Sequence, residues 1–442
     1  MFRSIARAGA SLAGLVASLT AATASAQVPQ VVEVAENSGD TAWIITASAL
    51  VLLMTLPGLG LFYGGLVRAK NFLSVFLQVG AIAAVASTLW IVVGYTFAFG
   101  DTSLGGWLGG GQHWMLYNMD PVYGDYAIPE STFALFQMTF AAITPALMVG
   151  AWVDRARFAW VMAFCAIWGL VVYAPVAHWV WGGGWLASMG VLDFAGGLVV
   201  HTTAGASALV VALLLGKRQG FPSTPLLPHA PGVTMLGAVL LWVGWFGFNG
   251  GSALSATASA SDAIINTHVA ACTAALVWIL IERIAFGKPT TVGFATGAIA
   301  GLATVTPAAG FISPGAAILI GGLGSLVCYY AIQLVKIKLR IDDSLDVFAV
   351  HGVGGMLGSI ALGLFLSSGL GGAGYDSVGA GSMGSQIGVQ ALAVAVIAVF
   401  SAVASALIAI AINLFIPMRV TEDDEQQGLD ITSHGERAWE FD

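Results

Sequence analysis

The sequence predicts an all-α membrane protein of about eleven transmembrane helices, arranged as two inverted five-helix repeats plus a C-terminal helix. Three observations predict this fold class. Of the 442 residues, 58% are hydrophobic and only 9% are charged, whereas soluble proteins carry about 25% charged residues. Apolar segments long enough to cross a bilayer follow one another along the chain. The lysines and arginines fall in alternate connections between those segments.

The N-terminus has the features of a cleavable signal peptide. Arg3 and Arg7 precede the small, apolar run 8–22, and Ala24-Ser25-Ala26 offers a cleavage site before Gln27. The alternative is a short first membrane helix, although its alanines and serines make that run only weakly hydrophobic. We therefore predict a signal peptide at 1–26 and a transmembrane domain at 27–416, in a bacterial cytoplasmic (inner) membrane.

Eleven segments have the length and apolarity of membrane-spanning helices. The sequence places them at roughly 42–66, 72–99, 131–153, 158–180, 194–216, 233–254, 262–283, 291–309, 314–335, 346–367 and 387–416.

The distribution of positive charge predicts the orientation of these helices. Outside the signal peptide, every lysine and arginine follows helix 1, 3, 5, 7, 9 or 11. By the positive-inside rule these places are cytoplasmic, so the mature N-terminus lies outside and the C-terminus inside. The opposite connections are acidic, which would raise the local cation concentration modestly. An equally acceptable interpretation is that these acidic residues only solvate the surface.

One pattern of residues occurs twice and organises the chain. Asp193 precedes His201 by eight residues in helix 5, and Asp343 precedes His351 by eight residues in helix 10, with Asp346 between them. Eight helical residues span roughly 12 Å, so each histidine lies near the middle of the bilayer. Helices 5 and 10 run in opposite directions, as expected if helices 1–5 and 6–10 form inverted repeats.

The two buried histidines admit three interpretations. Polar groups at this depth are costly and mark transport pathways, so His201 and His351 are candidates for a pathway role. A purely structural pair is the second interpretation. A metal site is the third, but each aspartate lies roughly 12 Å from its histidine, too far to share an ion. We expect no metal and no cofactor.

The predicted outer ends of the helices carry further candidates. Asp193 could bind a substrate, or its carboxylate could cap helix 5 ahead of Gly196 and Gly197, which is the interpretation we favour. Aromatic residues cluster near the same ends and could form a membrane belt or bind a small cation. These aromatic residues are Phe136, Phe140, Trp181, Trp245, Phe246 and Phe248, the last of which precedes Ser252.

The C-terminal segment 417–442 differs from the rest of the chain in composition. It contains TEDDEQQ followed by GLDITSHGERAWEFD, with eight acidic residues and two arginines. Such a composition is typical of a disordered, solvating tail. The glycines and Trp439 in its second half make a docking segment the alternative. Nothing in the charge distribution indicates a nucleic-acid partner.

Several sequence blocks resemble the ammonium transporter (Amt/MEP/Rh) family. The stretch from Asp193 to Arg218, DFAGGLVVHTTAGASALVVALLLGKR, is similar to the signature of that family. The blocks AHWVWGGGWLASMGVLDFAGG, GWFGFNGGSA, GLATVTPAAGFI, DDSLDVFAVHGVGG and GLDITSHGE resemble family blocks in the family order. The resemblance covers nearly the whole mature chain, and the eleven-helix topology derived above agrees with it.

The resemblance implies roles for particular residues. Trp181, Phe140 and Ser252 resemble the outer recruitment site, where ammonium meets ring faces and a hydroxyl. Phe140 and Phe248 resemble the stacked pair that blocks the pore beneath it.

Three further implications follow from the same resemblance. His201 and His351 resemble the twin histidines of the pore, and Asp193 resembles the family's essential aspartate. Asp343 and Asp346 are expected to be structural. A homotrimer with one pore per subunit is implied, and a PII-type signal protein is the implied partner at the cytoplasmic face. The block GLDITSHGE is similar to the segment that communicates with that regulator, so 417–442 is predicted to be a cytoplasmic regulatory tail.

These expectations give a transport hypothesis rather than an enzymatic one. Ammonium would lose a proton near Trp181 and Ser252, ammonia would pass Phe140 and Phe248, and the histidines would relay the proton. One alternative is an ammonium sensor that signals through the tail. Another is a non-electrogenic ammonia gas channel. An intramembrane metal enzyme is a more distant rival.

Overall fold

The computed structural model describes residues 35–224 and 226–439, so the predicted signal peptide at 1–26 lies outside the described residues. Within the described residues, eleven helices are long and apolar enough to cross a membrane, which confirms the predicted all-α class. They are α1 (Ser38–Leu66), α2 (Ala69–Phe99), α3 (Glu130–Trp152), α4 (Phe158–Ser188), α5 (Gly197–Leu215), α6 (Pro231–Gly251), α7 (Ala258–Phe286), α8 (Thr291–Ala308), α9 (Pro314–Lys338), α10 (Phe348–Phe365) and α11 (Met383–Asn413).

Shorter elements occupy the connections. Between α2 and α3, strands β1 (Thr102–Ser103) and β2 (Leu108–Gly109) form an antiparallel pair. Two short helices follow α11, namely α12 (Glu422–Gln427) and α13 (Leu429–His434). Single 3₁₀ turns lie at Trp114–Leu116, Ser368–Leu370 and Asp376–Val378.

Most predicted helix ends agree with the structure to within a few residues, and two differences have clear causes. The prediction ends the fourth helix at 180, whereas α4 reaches Ser188 because a short helix resumes at Trp185 after the glycine-rich turn. The prediction begins the fifth helix at 194, whereas α5 begins at Gly197. Gly196 has a φ of 116°, a left-handed conformation that suits glycine and prevents an earlier start.

π-helical turns occur within or at an end of six of the described membrane-spanning helices. Those in α5 and α10 cover Gly197–Thr202 and Phe348–Gly352 and therefore contain His201 and His351. A π-helical turn widens the helix locally and is frequent at functional sites. The other four are Met54–Leu59, Trp90–Gly94, Gly169–Tyr173 and Gln333–Lys338.

Helices α5 and α10 cross at very close range in the centre of the molecule. A Cβ atom on Gly205 of α5 would collide with the backbone of Gly352 in α10. Only glycine at this crossing allows the two backbones to meet, as in other small-residue helix contacts within membranes. The contact brings the two histidine-bearing turns side by side.

The basic connections meet at one end of the bundle, which we call the basic face. The Arg218 guanidinium, after α5, lies 2.8 Å from Asp342 and 3.2 Å from Asp154, which follow α9 and α3. Arg68, after α1, lies 3.6 Å from Asp154. The loops that carry positive charge in alternate connections are thus gathered on the same side of the bundle.

The described part of the C-terminal tail is folded onto the basic face. Asp430 accepts hydrogen bonds from the backbone N–H groups of Leu73 and Ser74, at 3.1 and 2.8 Å, and so caps the start of α2. Glu425 forms a 2.7 Å ion pair with Arg419. The docking alternative therefore describes residues 417–439 better than a solvating tail does.

Candidate functional site

A cavity of about 360 Å³ opens at the end of the bundle opposite the basic face, and we call it the aromatic vestibule. Phe140, Trp181, Asp193 and Ser252, all predicted from the sequence, line it together. Trp181 ends the long part of α4, and its indole N–H donates a 2.8 Å hydrogen bond to the backbone oxygen of Asp193. This bond fixes the indole to the connection that leads into α5.

Ring faces and one hydroxyl group converge in the aromatic vestibule. The rings of Phe140 and Trp181 meet edge to face, with centroids 5.8 Å apart. The Ser252 hydroxyl donates a 2.8 Å hydrogen bond to the backbone oxygen of Phe248, which leaves its oxygen lone pairs available to accept. Ring faces and an acceptor oxygen suit a small cation that carries N–H groups.

The Asp193 carboxylate caps the first turn of α5. Its Oδ1 accepts from the N–H groups of Gly196 and Gly197, at 2.9 and 2.7 Å, and its Oδ2 accepts from those of Leu198 and Val199, at 2.8 and 3.0 Å. Burial raises the pKa of Asp193 to about 6, while the four N–H donors oppose that rise. Both oxygens are therefore engaged in the cap of α5, as expected for the structural interpretation of Asp193.

Two phenylalanine rings close the inner end of the aromatic vestibule. The Phe140 and Phe248 centroids lie 4.4 Å apart with the planes tilted by 38°, and each residue is only 1% exposed. Phe140 lines the vestibule, whereas Phe248 lines a smaller central cavity beyond it. The pair therefore separates two spaces along one line.

The two predicted histidines meet in the central cavity. Their Nδ1 atoms lie 3.3 Å apart, within hydrogen-bonding distance, and their rings are nearly parallel, with centroids 5.2 Å apart. One Nδ1 must donate and the other accept, so a single proton is shared between the rings. Their Nε2 atoms then differ, because one is an acceptor and the other carries a proton.

Apolar side chains surround the histidine pair. Leu147, Leu241 and Trp245 are among the residues that line the central cavity. The Trp245 indole lies alongside His201, with centroids 5.5 Å apart. Trp245 and Phe246 were both predicted to lie near the outer ends of the helices. Trp245 instead lies beside the histidine pair, and the Phe246 ring contacts His268 on α7. An α-helix turns neighbouring side chains about 100° apart, so adjacent aromatics on α6 face different surroundings.

A second cavity, of about 200 Å³, opens on the basic face, and we call it the polar vestibule. His351 lines both this cavity and the central one. The Lys336 ammonium lies 2.8 Å from the Asp346 carboxylate at its wall. The aromatic vestibule, the phenylalanine pair, the histidine pair and the polar vestibule thus follow one another across the bundle.

Asp343 occupies in α10 the position that Asp193 occupies in α5. Its Oδ2 accepts from the N–H of Phe348 at 2.7 Å, while its Oδ1 has no hydrogen-bond partner among the described residues. Burial and the neighbouring Asp346 carboxylate raise the pKa of Asp343 to about 6. The repeated sequence pattern therefore corresponds to two helix caps of unequal strength.

Gln390 lies near the site but was not predicted from the sequence. Gln390, on α11, is fully buried, accepts from the N–H of Leu192 at 2.8 Å and donates to the oxygen of Leu192 at 2.7 Å. It also donates to the oxygen of Ser359 at 3.0 Å. Gln390 thereby holds the segment that precedes Asp193. An amide side chain within a predominantly apolar helix is the feature of the sequence that could have indicated it.

Comparisons with known proteins agree on one family. The model of the Ammonium Transporter Family matches residues 42–439. An ammonium transporter of Bacillus subtilis is 46% identical over 406 residues, which cover 91% of this chain and 98% of the relative. The crystal structure of Saccharomyces cerevisiae Mep2 superposes with a TM-score of 0.81 at 37% identity, covering 88% of this chain and 90% of that one.

A structure titled Sensor Amt Protein superposes with a TM-score of 0.83 at 28% identity, covering 90% of this chain and 98% of that one. Because the family model spans most of the sequence and the relatives match over nearly their full length, this chain belongs to the ammonium transporter family.

Proposed function

We propose that this protein transports ammonium across the cytoplasmic membrane as ammonia, with a relayed proton. The observation that carries the proposal is the series of spaces across the bundle. An aromatic vestibule is followed by the Phe140–Phe248 pair, by two hydrogen-bonded histidines in an apolar cavity, and by a polar vestibule. This order suits a substrate that enters as a cation and crosses as a neutral molecule.

The first step is recruitment in the aromatic vestibule. The Trp181 and Phe140 ring faces attract a cation, and the Ser252 oxygen accepts an N–H hydrogen bond. The membrane-embedded cavity beyond the phenylalanines disfavours a charged species, because an ion loses its hydration there without a compensating partner. Ammonium can satisfy this constraint by losing a proton, whereas potassium of similar size cannot.

The second step is passage between the imidazoles. Ammonia is both a hydrogen-bond donor and an acceptor, and the His201–His351 pair offers one Nε2 of each kind. When a proton enters at the acceptor Nε2, the shared proton moves to the other Nδ1 and the second ring releases its Nε2 proton, which leaves both rings neutral with their roles exchanged. The pair therefore supports a proton relay alongside ammonia, which would make transport electrogenic.

Orientation and assembly form part of the same proposal. The gathered basic loops support a cytoplasmic basic face, a cytoplasmic tail at 417–442 and an outward aromatic vestibule. The family resemblance supports a homotrimer, and it supports a PII-type signal protein as a partner at the basic face. Mass photometry of the detergent-solubilised protein tests the trimer, and co-purification with a PII-type protein tests the partner.

Currents from the purified protein in liposomes on a solid-supported membrane test the transport proposal. We expect a transient current after an ammonium pulse and none after a potassium pulse. A variant with both Trp181→Leu and Ser252→Ala is expected to lose the ammonium current, whereas Trp114→Leu keeps it. Trp114 is a matched control because it is exposed and does not line the aromatic vestibule.

The relay has its own test. His351→Ala is expected to reduce the current or its selectivity, whereas His268→Ala, an exposed histidine on α7, leaves both unchanged. An unchanged current in His351→Ala contradicts the relay. If no current appears but internal alkalinisation is faster than in empty liposomes, the protein is a gas channel without charge transfer.

A sensor is the second candidate function. It is favoured by the folded tail on the basic face and by the likeness to a structure titled Sensor Amt Protein. Ammonium binding without either current or alkalinisation would support the sensor and contradict transport.

A further inference from the structure

A second group of aromatic rings lines the aromatic vestibule, apart from Phe140 and Trp181. Tyr123 and Tyr126, from the connection between α2 and α3, lie in its wall. Their rings are nearly parallel, with centroids 6.1 Å apart and planes inclined by 13°. Tyr126 is 44% exposed, which puts it at the rim, whereas Tyr123 is half-buried.

The position of these rings along α3 separates them from the recruitment site. Tyr123 stacks on Phe133, with centroids 3.5 Å apart. Phe133, Gln137 and Phe140 follow at spacings of four and three residues, so they share one face of α3. Seven helical residues span about 10 Å, which places the tyrosines about that distance outward from Phe140.

The connection that carries the tyrosines is held in place by hydrogen bonds. The N–H of Tyr123 donates to the oxygen of Ile128 at 2.9 Å. Glu130 accepts from the N–H of Asp120 and from the Tyr95 hydroxyl, each at 2.6 Å. The rings are therefore set in position before a ligand arrives.

Ring faces, rather than a free carboxylate, would hold a cation at the rim. Among the described lining residues Asp193 is the one charged side chain, and its oxygens are engaged in the α5 cap, so a cation at the rim depends on ring faces. Burial, together with Tyr126 and the Glu130 carboxylate, raises the pKa of Tyr123 well above its usual value, so its phenol stays neutral. A small cation between the two rings would lie within about 6 Å of both centroids, the range of cation–π attraction.

A polar atom lies between the tyrosines and the recruitment site. Gln137 is 8% exposed and lines the vestibule one turn inward from Phe133, and its Oε1 has no hydrogen-bond partner among the described residues. A carbonyl oxygen there can accept an N–H from a cation that moves inward.

We propose that Tyr123 and Tyr126 form an outer cation–π subsite that receives ammonium, or a small alkylammonium, and passes it past Gln137 to Phe140 and Trp181. The inference rests on the proposed transport function and adds a second binding position to it. The subsite concentrates monovalent cations at the rim, whereas the choice of ammonium over potassium is made farther in, where a proton must be lost.

Transport kinetics test this subsite with two matched controls. Tyr126→Leu removes the ring face, and an exposed cation–π contact of ordinary strength predicts a rise in KM of about two- to fivefold for ammonium and for methylammonium. The maximal current and the ammonium-to-potassium ratio are expected to stay unchanged. Tyr126→Phe keeps the ring and is expected to match the wild type. Tyr117→Leu is also expected to match the wild type, because Tyr117 is an exposed tyrosine of the same connection that does not line the vestibule.

The outcomes separate this inference from the transport proposal. A wild-type ammonium current with an unshifted KM in Tyr126→Leu overturns the subsite and leaves transport intact, as does an equal shift in Tyr126→Phe. If the wild type carries no current, the proposal of electrogenic transport fails, and calorimetric titration with methylammonium then decides on the subsite. Weaker binding to Tyr126→Leu than to Tyr126→Phe supports the subsite, and equal binding overturns it.

Discussion

The substitution Asp193→Asn tests whether this carboxylate acts mainly as a helix cap. The two Asp193 oxygens accept four N–H groups at 2.7–3.0 Å, two on each oxygen. An asparagine side chain has one acceptor oxygen, and its NH₂ group donates. Two of the four buried N–H groups would therefore face a donor instead of an acceptor.

The expected loss of stability follows from that count. Each buried donor left without a partner costs about 1–3 kcal/mol, so Asp193→Asn is expected to destabilise the fold by about 2–6 kcal/mol. The matched variant is Asp343→Asn, at the equivalent position of α10. Its Oδ2 accepts one N–H and its Oδ1 has no hydrogen-bond partner among the described residues, so the amide oxygen can keep that bond and no backbone donor loses its acceptor.

Unfolding by denaturing detergent at neutral pH, followed by tryptophan fluorescence, measures both variants. Asp193→Asn should lose at least 2 kcal/mol more than Asp343→Asn, and it should also lose the ammonium current because the Trp181 indole is bonded to the Asp193 backbone. Equal losses in the two variants would refute the reasoning from acceptor counts. A stable Asp193→Asn variant without current would instead assign Asp193 a direct role with the substrate.

Three further predictions concern packing, positioning and pH. Gly205→Ala, which collides with Gly352, should lower the folded yield in size-exclusion chromatography, whereas Gly388→Ala, with open space around it, should not. Gln390→Met should cost about 1–3 kcal/mol in the same unfolding assay, because it leaves the half-buried N–H of Leu192 without its acceptor. The pKa of Asp343 in the folded protein, about 6, exceeds its ordinary value of 3.8, so the stability that this group contributes is present below pH 4 and lost as the pH rises through 6. Asp343→Asn should therefore flatten the stability profile between pH 4 and 6 by about 3 kcal/mol.

The helices and their number could be predicted because the bilayer imposes a simple rule on sequence. A spanning helix needs about 20 apolar residues, and loop charge follows membrane orientation. The two histidines could also be identified from the sequence, because each is a polar residue within an apolar segment. Eight-residue spacing in both halves then predicted that His201 and His351 lie at similar depth, and their Nδ1 atoms are 3.3 Å apart.

Other features depend on tertiary contacts that carry no periodic signal. The π-helical turns at His201 and His351 lie in apolar segments, where the pattern of apolar residues does not distinguish a π-helical turn from an α-helical one. Gln390 matters through the backbone of Leu192, nearly 200 residues away in sequence. Tyr123 is one of several aromatic residues in a long connection, so its sequence position does not single it out. Its place in the vestibule wall follows from stacking on Phe133.

The inequality of the two caps has a consequence for how the halves of the bundle work. The two helices share the Asp-to-His spacing and a π-helical turn, yet Asp193 is locked by four donors whereas Asp343 is held by one and lies near the Asp346–Lys336 pair. A carboxylate that accepts four hydrogen bonds resists displacement. The position of the Trp181 indole, which is bonded to the Asp193 backbone, is therefore expected to stay constant while cations bind and leave. A carboxylate with one bond can change its charge and partners at smaller cost. On the proposed mechanism the recruiting end, capped by Asp193, is therefore the more rigid half of the pathway. The start of α10, capped by Asp343, can change its charge and contacts when the charges in the polar vestibule change.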